Sequence, residues 1–279
     1  MQKKFWKMHG IGNDYIYFDC FDWQPEDPAA LAVKLSDRHF SIGGDGVVLI
    51  LRSDAADVRM RMFNADGSEG KMCGNAIRCI GKFLYEVKGM QKPVLTVETL
   101  SGIKTLSIHA EDGIVHSVRV DMGAAELTPA RIPADFAGER AVNVLLDVDG
   151  TEYRVTAVSM GNPHCITFVE DPYALDLEKL GPKFEHHPAF PERVNTEFVR
   201  VDAKNRLTMR VWERGSGETW ACGTGACAVA VAGVLGGYCE MGADITVRLR
   251  GGDLVINVTP EAVYMTGPAA FAFTGEVEI

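Results

Sequence analysis

The phrase GKMCGNAIRCIGKFL at residues 70–84 returns, altered, as TWACGTGACAVAVAGVL at residues 219–235. Displacing the chain on itself by 149 residues places Cys73 on Cys222, Gly74 on Gly223 and Glu69 on Glu218. The same displacement puts Gly12-Asn13 on Gly161-Asn162 and Gly46 opposite Asn195. Three separated segments in one register predict duplicated domains. Each half must then close around its own core, and whatever chemistry the repeated residues carry is built twice.

The hydrophobic pattern supplies the elements of each half. In the first, DYIYFDC and DGVVLIL are rich in β-formers around an amphipathic LAVKLSDRH, and VRMRMF alternates Val58, Met60 and Met62 on one face. HCITFVED, ALDLEKLGPKF, TEFVRV and LTMRVWE repeat that order in the second. After residue 75, Ala76, Ile77, Ile80, Phe83, Leu84 and Val87 recur at helical spacing, while Thr224 to Leu235 is apolar nearly all round and predicts a buried helix. Long hairpin-like stretches with turn signals at Ser101-Gly102, Asp112-Gly113 and Gly251-Gly252 close the halves. The expected class is α+β (mixed α/β) with largely antiparallel sheet. The expected domains are 1–120, completed by 268–279, and 121–267, with a crossing near Gly123-Ala124.

Composition narrows the partners. A formal net charge of −10 without a concentrated basic face argues against nucleic acid or an anionic membrane. No apolar run follows the basic residues of MQKKFWKMHG, so neither a secretory signal nor an anchor is expected, and the expected location is the cytoplasm. Residues 221–239 lack charge, but their Ala, Gly and Cys content suits a core helix better than a membrane span. The cysteines stand at 20, 73, 79, 165, 222, 227 and 239, an odd number without paired CxxC spacing. Free thiols are expected, and no metal site.

In both halves the order is strand, glycine-containing loop, Cys, Gly, helix, which sets each sulfur at a helix N-terminus. Unpaired amides and the helix dipole favour negative charge there, and such a position lowers a thiol's pKa. The same amides can hold a carboxylate. If one sulfur is thiolate and the other thiol, a carbon acid between them loses a proton on one face and regains it on the other. A redox disulfide and a purely structural pair remain the alternatives. Asn13, Asn64, Asn162 and Asn195 stand beside glycines or in the same loops, and WERGSGE adds Glu213 and Arg214. Neutral amides with one guanidinium and one carboxylate suit a zwitterionic amino acid. No lysine context suggests a Schiff base and no phosphate cradle is present, so the proton transfer is expected to be cofactor-free.

The phrases MHGIGNDY, IGGDGVVL, FNADGSEGKMCGNAIRC, MGNPHCI, VNTEFV and VWERGSGETWACGTGACA together make the chain resemble the diaminopimelate epimerases over essentially its whole length. The resemblance implies two pseudo-symmetric domains, each a curved sheet wrapped around a central helix, with the substrate in the cleft. It implies cofactor-free interconversion of LL- and meso-diaminopimelate on the route to lysine and peptidoglycan, in a homodimer. Cys73 and Cys222 would be acid and base. Gly74, Asn75, Gly223 and Thr224 would contact the reacting end, and Asn13, Asn64, Asn162, Asn195, Glu213 and Arg214 would hold the substrate. His164 and Glu213 would tune the thiols. Gly46 stands where some relatives carry Gln, so a contact there would be missing or made by backbone. The proline and hydroxyproline racemases share the two-thiol logic, but tend to show His after the first Cys-Gly where this chain has Asn75.

Overall fold

The computed structural model describes all 279 residues. In chain order the elements are β1 (Gln2–Gly10), β2 (Asn13–Asp19), α1 (Pro28–Ser36), β3 (Gly46–Leu51), β4 (Val58–Asn64), β5 (Glu69–Gly70), α2 (Gly74–Glu86), β6 (Val94–Thr99), β7 (Gly102–Glu111) and β8 (Ile114–Asp121). There follow β9 (Val144–Val148), β10 (Thr151–Ser159), β11 (Pro163–Phe168), α3 (Leu177–Glu185), β12 (Asn195–Ala203), β13 (Arg206–Glu213) and β14 (Gly217–Thr219). The chain ends with α4 (Gly223–Leu235), β15 (Asp244–Leu249), β16 (Gly252–Val258), β17 (Val263–Gly267) and β18 (Ala270–Glu278). It divides into two compact units, Met1–Asp121 with Thr266–Ile279, and Met122–Met265. No helix is long and apolar enough to cross a membrane.

The class is α+β. In the first unit β18, β1, β2, β3, β4, β6, β7 and β8 are paired in succession, with β2–β3 and β4–β6 parallel and the rest antiparallel. Parallel neighbours need a crossover, and α1 and α2 are those crossovers. The second unit repeats the plan: β11–β12 and β13–β15 are parallel, bridged by α3 and α4. The displacement of 149 residues carries α1 onto α3, α2 onto α4 and β1 onto β10 end for end. Even strand register is kept, since Tyr15 pairs with Gly46 as His164 pairs with Asn195.

Both faces of the repeated strands are covered, and this explains their apolar runs. In β3, GVVLIL is buried throughout. Val47, Leu49 and Leu51 join Leu31 and Leu35 of α1 in one cluster. Alternation therefore turns Val48 and Ile50 to the opposite face, where the hydroxyl of the neighbouring Tyr17 reaches the Ala76 carbonyl of α2 at 3.4 Å. In the second unit Cys165 and Phe198 belong with Phe184 of α3, which directs His164 and Glu197 to the α4 side. The helix α4 touches β10, β11, β12, β13, β15 and β16. Every residue of α2 from Gly74 to Leu84 is buried. Val87, assigned by periodicity to the apolar face, instead ends α2 and is 41% exposed.

Local chemistry sets the helix starts. Asp27 caps α1 by accepting from the Ala30 amide at 2.9 Å, with Pro28 in the first turn, and Asp176 caps α3 through the Lys179 amide. Within α3, a Cβ built on Gly181 would lie 2.2 Å from the Trp212 indole. Alanine ordinarily favours a helix over glycine by about 1 kcal/mol. Gly181→Ala is nevertheless expected to destabilise the protein by about 1–3 kcal/mol through overpacking. Urea midpoints of the two proteins measure this, and a variant more stable than the parent would show that the indole has room to retreat.

Candidate active site

In the first unit Cys73 is the N-cap of α2, with extended backbone, and its thiol donates to Asn13 Oδ1 at 3.3 Å. Asn13 passes the contact on, its Nδ2 donating to Asp45 Oδ2 at 2.7 Å. Asp45 and Asp14 share Arg38, at 2.9 and 2.7 Å, and Lys7 reaches Asp14 at 2.5 Å. Burial alone would raise the Asp14 carboxyl, but hydrogen bonds and charge from Arg38 and Lys7 hold it below its ordinary value. Asp45 goes the other way, raised by burial and by the charge of Asp14. Gly74 opens α2, and Asn75, 1% exposed, lies in its first turn.

Gly46 and Asn64 are cross-strand partners on β3 and β4. A Cβ at Gly46 would fall 2.0 Å from the Phe63 carbonyl oxygen, so this position offers a ligand backbone only. The Asn64 side chain donates to Ser68 Oγ at 3.0 Å.

The second unit surrounds its sulfur more tightly. Cys222, 5% exposed, is the N-cap of α4, and its Sγ accepts from the Gly225 amide at 3.4 Å. Gly223 is the first helical residue. Thr224 Oγ1 lies 3.5 Å from Sγ and receives Asn162 Nδ2 at 3.3 Å. Asn162 Oδ1 lies 3.1 Å from His164 Nε2, and His164 Nδ1 lies 2.7 Å from Glu197 Oε1. His164 and Glu197 are both 0% exposed, on strands and not in loops. Asn195 braces the neighbouring turn, accepting from the Arg214 amide at 3.1 Å and donating to the Pro163 carbonyl at 2.8 Å. The exposed Arg214 guanidinium donates to the Glu192 carbonyl at 3.0 Å.

The N-terminus of α4 by itself would lower the Cys222 thiol, but the surroundings reverse this. Burial pushes it well above the ordinary thiol value, the negative charges of Glu213 and Glu197 push it further, and the Thr224 and Gly225 hydrogen bonds only partly oppose them. Burial also raises the Glu213 carboxyl, against hydrogen bonds from Thr219 and Cys222.

Each unit gathers its own share of the expected residues. Cys73 and Asn13 are joined directly, Gly46 and Asn64 lie across one strand pair, and Cys222, Thr224, Asn162 and His164 form one hydrogen-bonded line. Asp45 and Glu197 belong to these networks and were not singled out from sequence. A charged residue between Thr196 and Phe198, in the buried first half of β12, is the signal that would mark Glu197.

The chain also matches known proteins along its length. The family model described as diaminopimelate epimerase matches residues 5–128 and 156–272. A diaminopimelate epimerase of Acetivibrio thermocellus is 54% identical over 278 residues, covering 99% of both chains. One from Methanococcus maripaludis is 52% identical over 278 residues, covering 99% of this chain and 100% of its own. Among solved structures, a Bacillus anthracis phenazine biosynthesis protein of the PhzF family superposes with a TM-score of 0.76 at 20% identity, covering 100% of both chains. A hydroxyproline epimerase from Agrobacterium vitis does so with 0.70 at 16% identity, covering 99% of this chain and 91% of that one. These two share the fold, whereas the extent and identity of the sequence matches place the chain in the diaminopimelate epimerase family.

Proposed function

We propose that the chain interconverts LL- and meso-2,6-diaminopimelate by two-thiol proton transfer at one α-carbon, without a cofactor. The supporting observation is that each unit begins its buried central helix with a cysteine, at equivalent positions of the repeat. A thiolate takes the α-proton, the C–H electron pair is left on carbon beside the substrate carboxylate, and the other thiol returns a proton to the opposite face. The reverse direction exchanges the roles.

Helix N-terminal amides suit the substrate carboxylate, whose negative charge grows as the carbanion forms. Asn13, Asn64, Asn162, Asn195, Glu213 and Arg214 would orient the amino-acid groups, with the Gly46 backbone beside them, and Asn75 and Thr224 would sit at the reacting end. His164 and Glu213 would set the charge around Cys222. The raised Cys222 thiol makes this residue the resting acid, and Cys73 serves as base once its thiol has given up the proton it shares with Asn13. In this reading the enzyme is a cytoplasmic homodimer that supplies meso-diaminopimelate for lysine and peptidoglycan.

Proton NMR of LL-diaminopimelate in deuterated water with the purified protein and no additive tests the reaction. Deuterium at the α-carbon together with the meso isomer is expected; exchange with proline and none with diaminopimelate would assign a racemase instead. Cys73→Ala and Cys222→Ala should each lower kcat by at least about 10³-fold, in the range of a lost general acid or base, with circular dichroism unchanged. Near-parental turnover by either variant would refute the two-thiol mechanism.

Catalysis also fixes a pH dependence. Below the limb of the base the thiolate is protonated, and above the limb of the acid Cys222 is ionised, so kcat/KM should fall at both ends. Because burial, Glu213 and Glu197 raise Cys222, the alkaline limb should lie above the ordinary thiol value. A decline beginning below that value would reverse the assignment of resting acid and base.

A further inference from the structure

Glu197 is a carboxylate with no access to solvent, and only one of its oxygens is engaged. Oε1 holds His164 Nδ1 at 2.7 Å, while Oε2 is buried without a hydrogen-bond partner. Leaving a buried carboxylate oxygen unpaired is costly, so its partner on the other oxygen must be a firm donor. The repeat shows that the fold does not need this residue. The displacement of 149 residues sets Glu197 on Val48, His164 on Tyr15 and Gly225 on Ala76. Val48 and Tyr15 are buried like their counterparts. Gly225 is matched to the exchange, because a Cβ there would lie 2.6 Å from Glu197 Oε1. The first turn of α4 has thus been cleared for a carboxylate that the first unit lacks.

From that carboxylate a line of contacts runs to the sulfur. His164 Nε2 meets Asn162 Oδ1 at 3.1 Å, Asn162 Nδ2 meets Thr224 Oγ1 at 3.3 Å, and Thr224 Oγ1 meets Cys222 Sγ at 3.5 Å. We infer that Glu197 is a positioning residue for Cys222, keeping the proton on His164 Nδ1 so that Nε2 orients Asn162, Thr224 and the sulfur. The inference rests on the function proposed above.

With the ring proton held on Nδ1 by Glu197, Nε2 accepts from Asn162 with its amide turned over, the Thr224 hydroxyl donates to Asn162 Oδ1, and the Cys222 S–H points at Thr224 Oγ1. Glu213, on β13, also faces Cys222, but it lies outside this line.

Glu197→Gln keeps the shape and removes the charge, and its amide can turn an N–H towards Nδ1, which admits the opposite tautomer. In the serine proteases an acid-to-amide change behind a catalytic histidine acts in this way. The variant should lose on the order of 10²-fold in kcat, with KM within about 2-fold, as expected for a misdirected acid–base group. Nitrogen-15 NMR of histidine-labelled protein should show a protonated Nδ1 in wild type and its loss in the variant. A purely structural role would instead lower the melting temperature and leave the tautomer unchanged.

Glu197→Gln with wild-type kcat, or a wild-type His164 with bare Nδ1, would overturn the inference; the second readout stands even if the variant fails to fold. Wild-type protein inactive on diaminopimelate would refute the proposed function alone, because the nitrogen spectrum still reports on Glu197 and His164.

Discussion

A helix buried on nearly every side must begin somewhere, and its first amides find few partners inside the protein. Here α2 and α4 both begin at a cysteine, and in α4 the Cys222 sulfur accepts from the Gly225 amide. The rest of each unit follows from keeping that helix enclosed. Parallel strand pairs require α2 and α4 as crossovers, and the second crossover in each unit, α1 or α3, covers the other face of the sheet. Strands covered on both faces become unbroken apolar runs, which explains why β3 contains no polar side chain.

Equivalent positions have been given unequal surroundings. Cys73 reaches Asp45 through one amide, and Asp45 is tied to a partly exposed cluster in which cations from Lys7 and Arg38 offset two carboxylates. Cys222 reaches Glu197 through a hydroxyl, an amide and an imidazole, with Cys222, His164 and Glu197 buried and Thr224 and Asn162 half-buried. Dielectric surroundings decide what a dipole can do. The same helix end that favours a thiolate is outweighed at Cys222 by desolvation and two nearby carboxyl groups. The proposed two-thiol proton transfer would gain from this inequality, since two identical thiols would compete for the same protonation state.

Much of the architecture was legible because it depends on periodicity. The alternation in VRMRMF, the helical spacing after residue 75 and the apolar circumference of residues 224–235 each reflect a face that must be buried, and β4, α2 and α4 lie there. Val87 was misplaced because spacing does not say where a helix stops. The cysteines and amides of the candidate site stood out by recurrence at one offset. Glu197 did not, because the repeat has Val48 in its place and recurrence cannot mark what one half alone acquired. Gly46 looked like a missing side chain, but the approach of the Phe63 carbonyl is visible only once β3 and β4 are paired.

Sequence by itself determined the duplication, the order of strands and helices, and the placing of Cys73 and Cys222 before glycines at helix starts. All of these are local or periodic, and such properties are written along the chain. Only the tertiary structure decided which groups surround each sulfur, that His164 and Glu197 meet out of water, and that the Cys222 thiol is raised. Those outcomes depend on desolvation and on distances between residues far apart in sequence, and both arise only when the chain has folded.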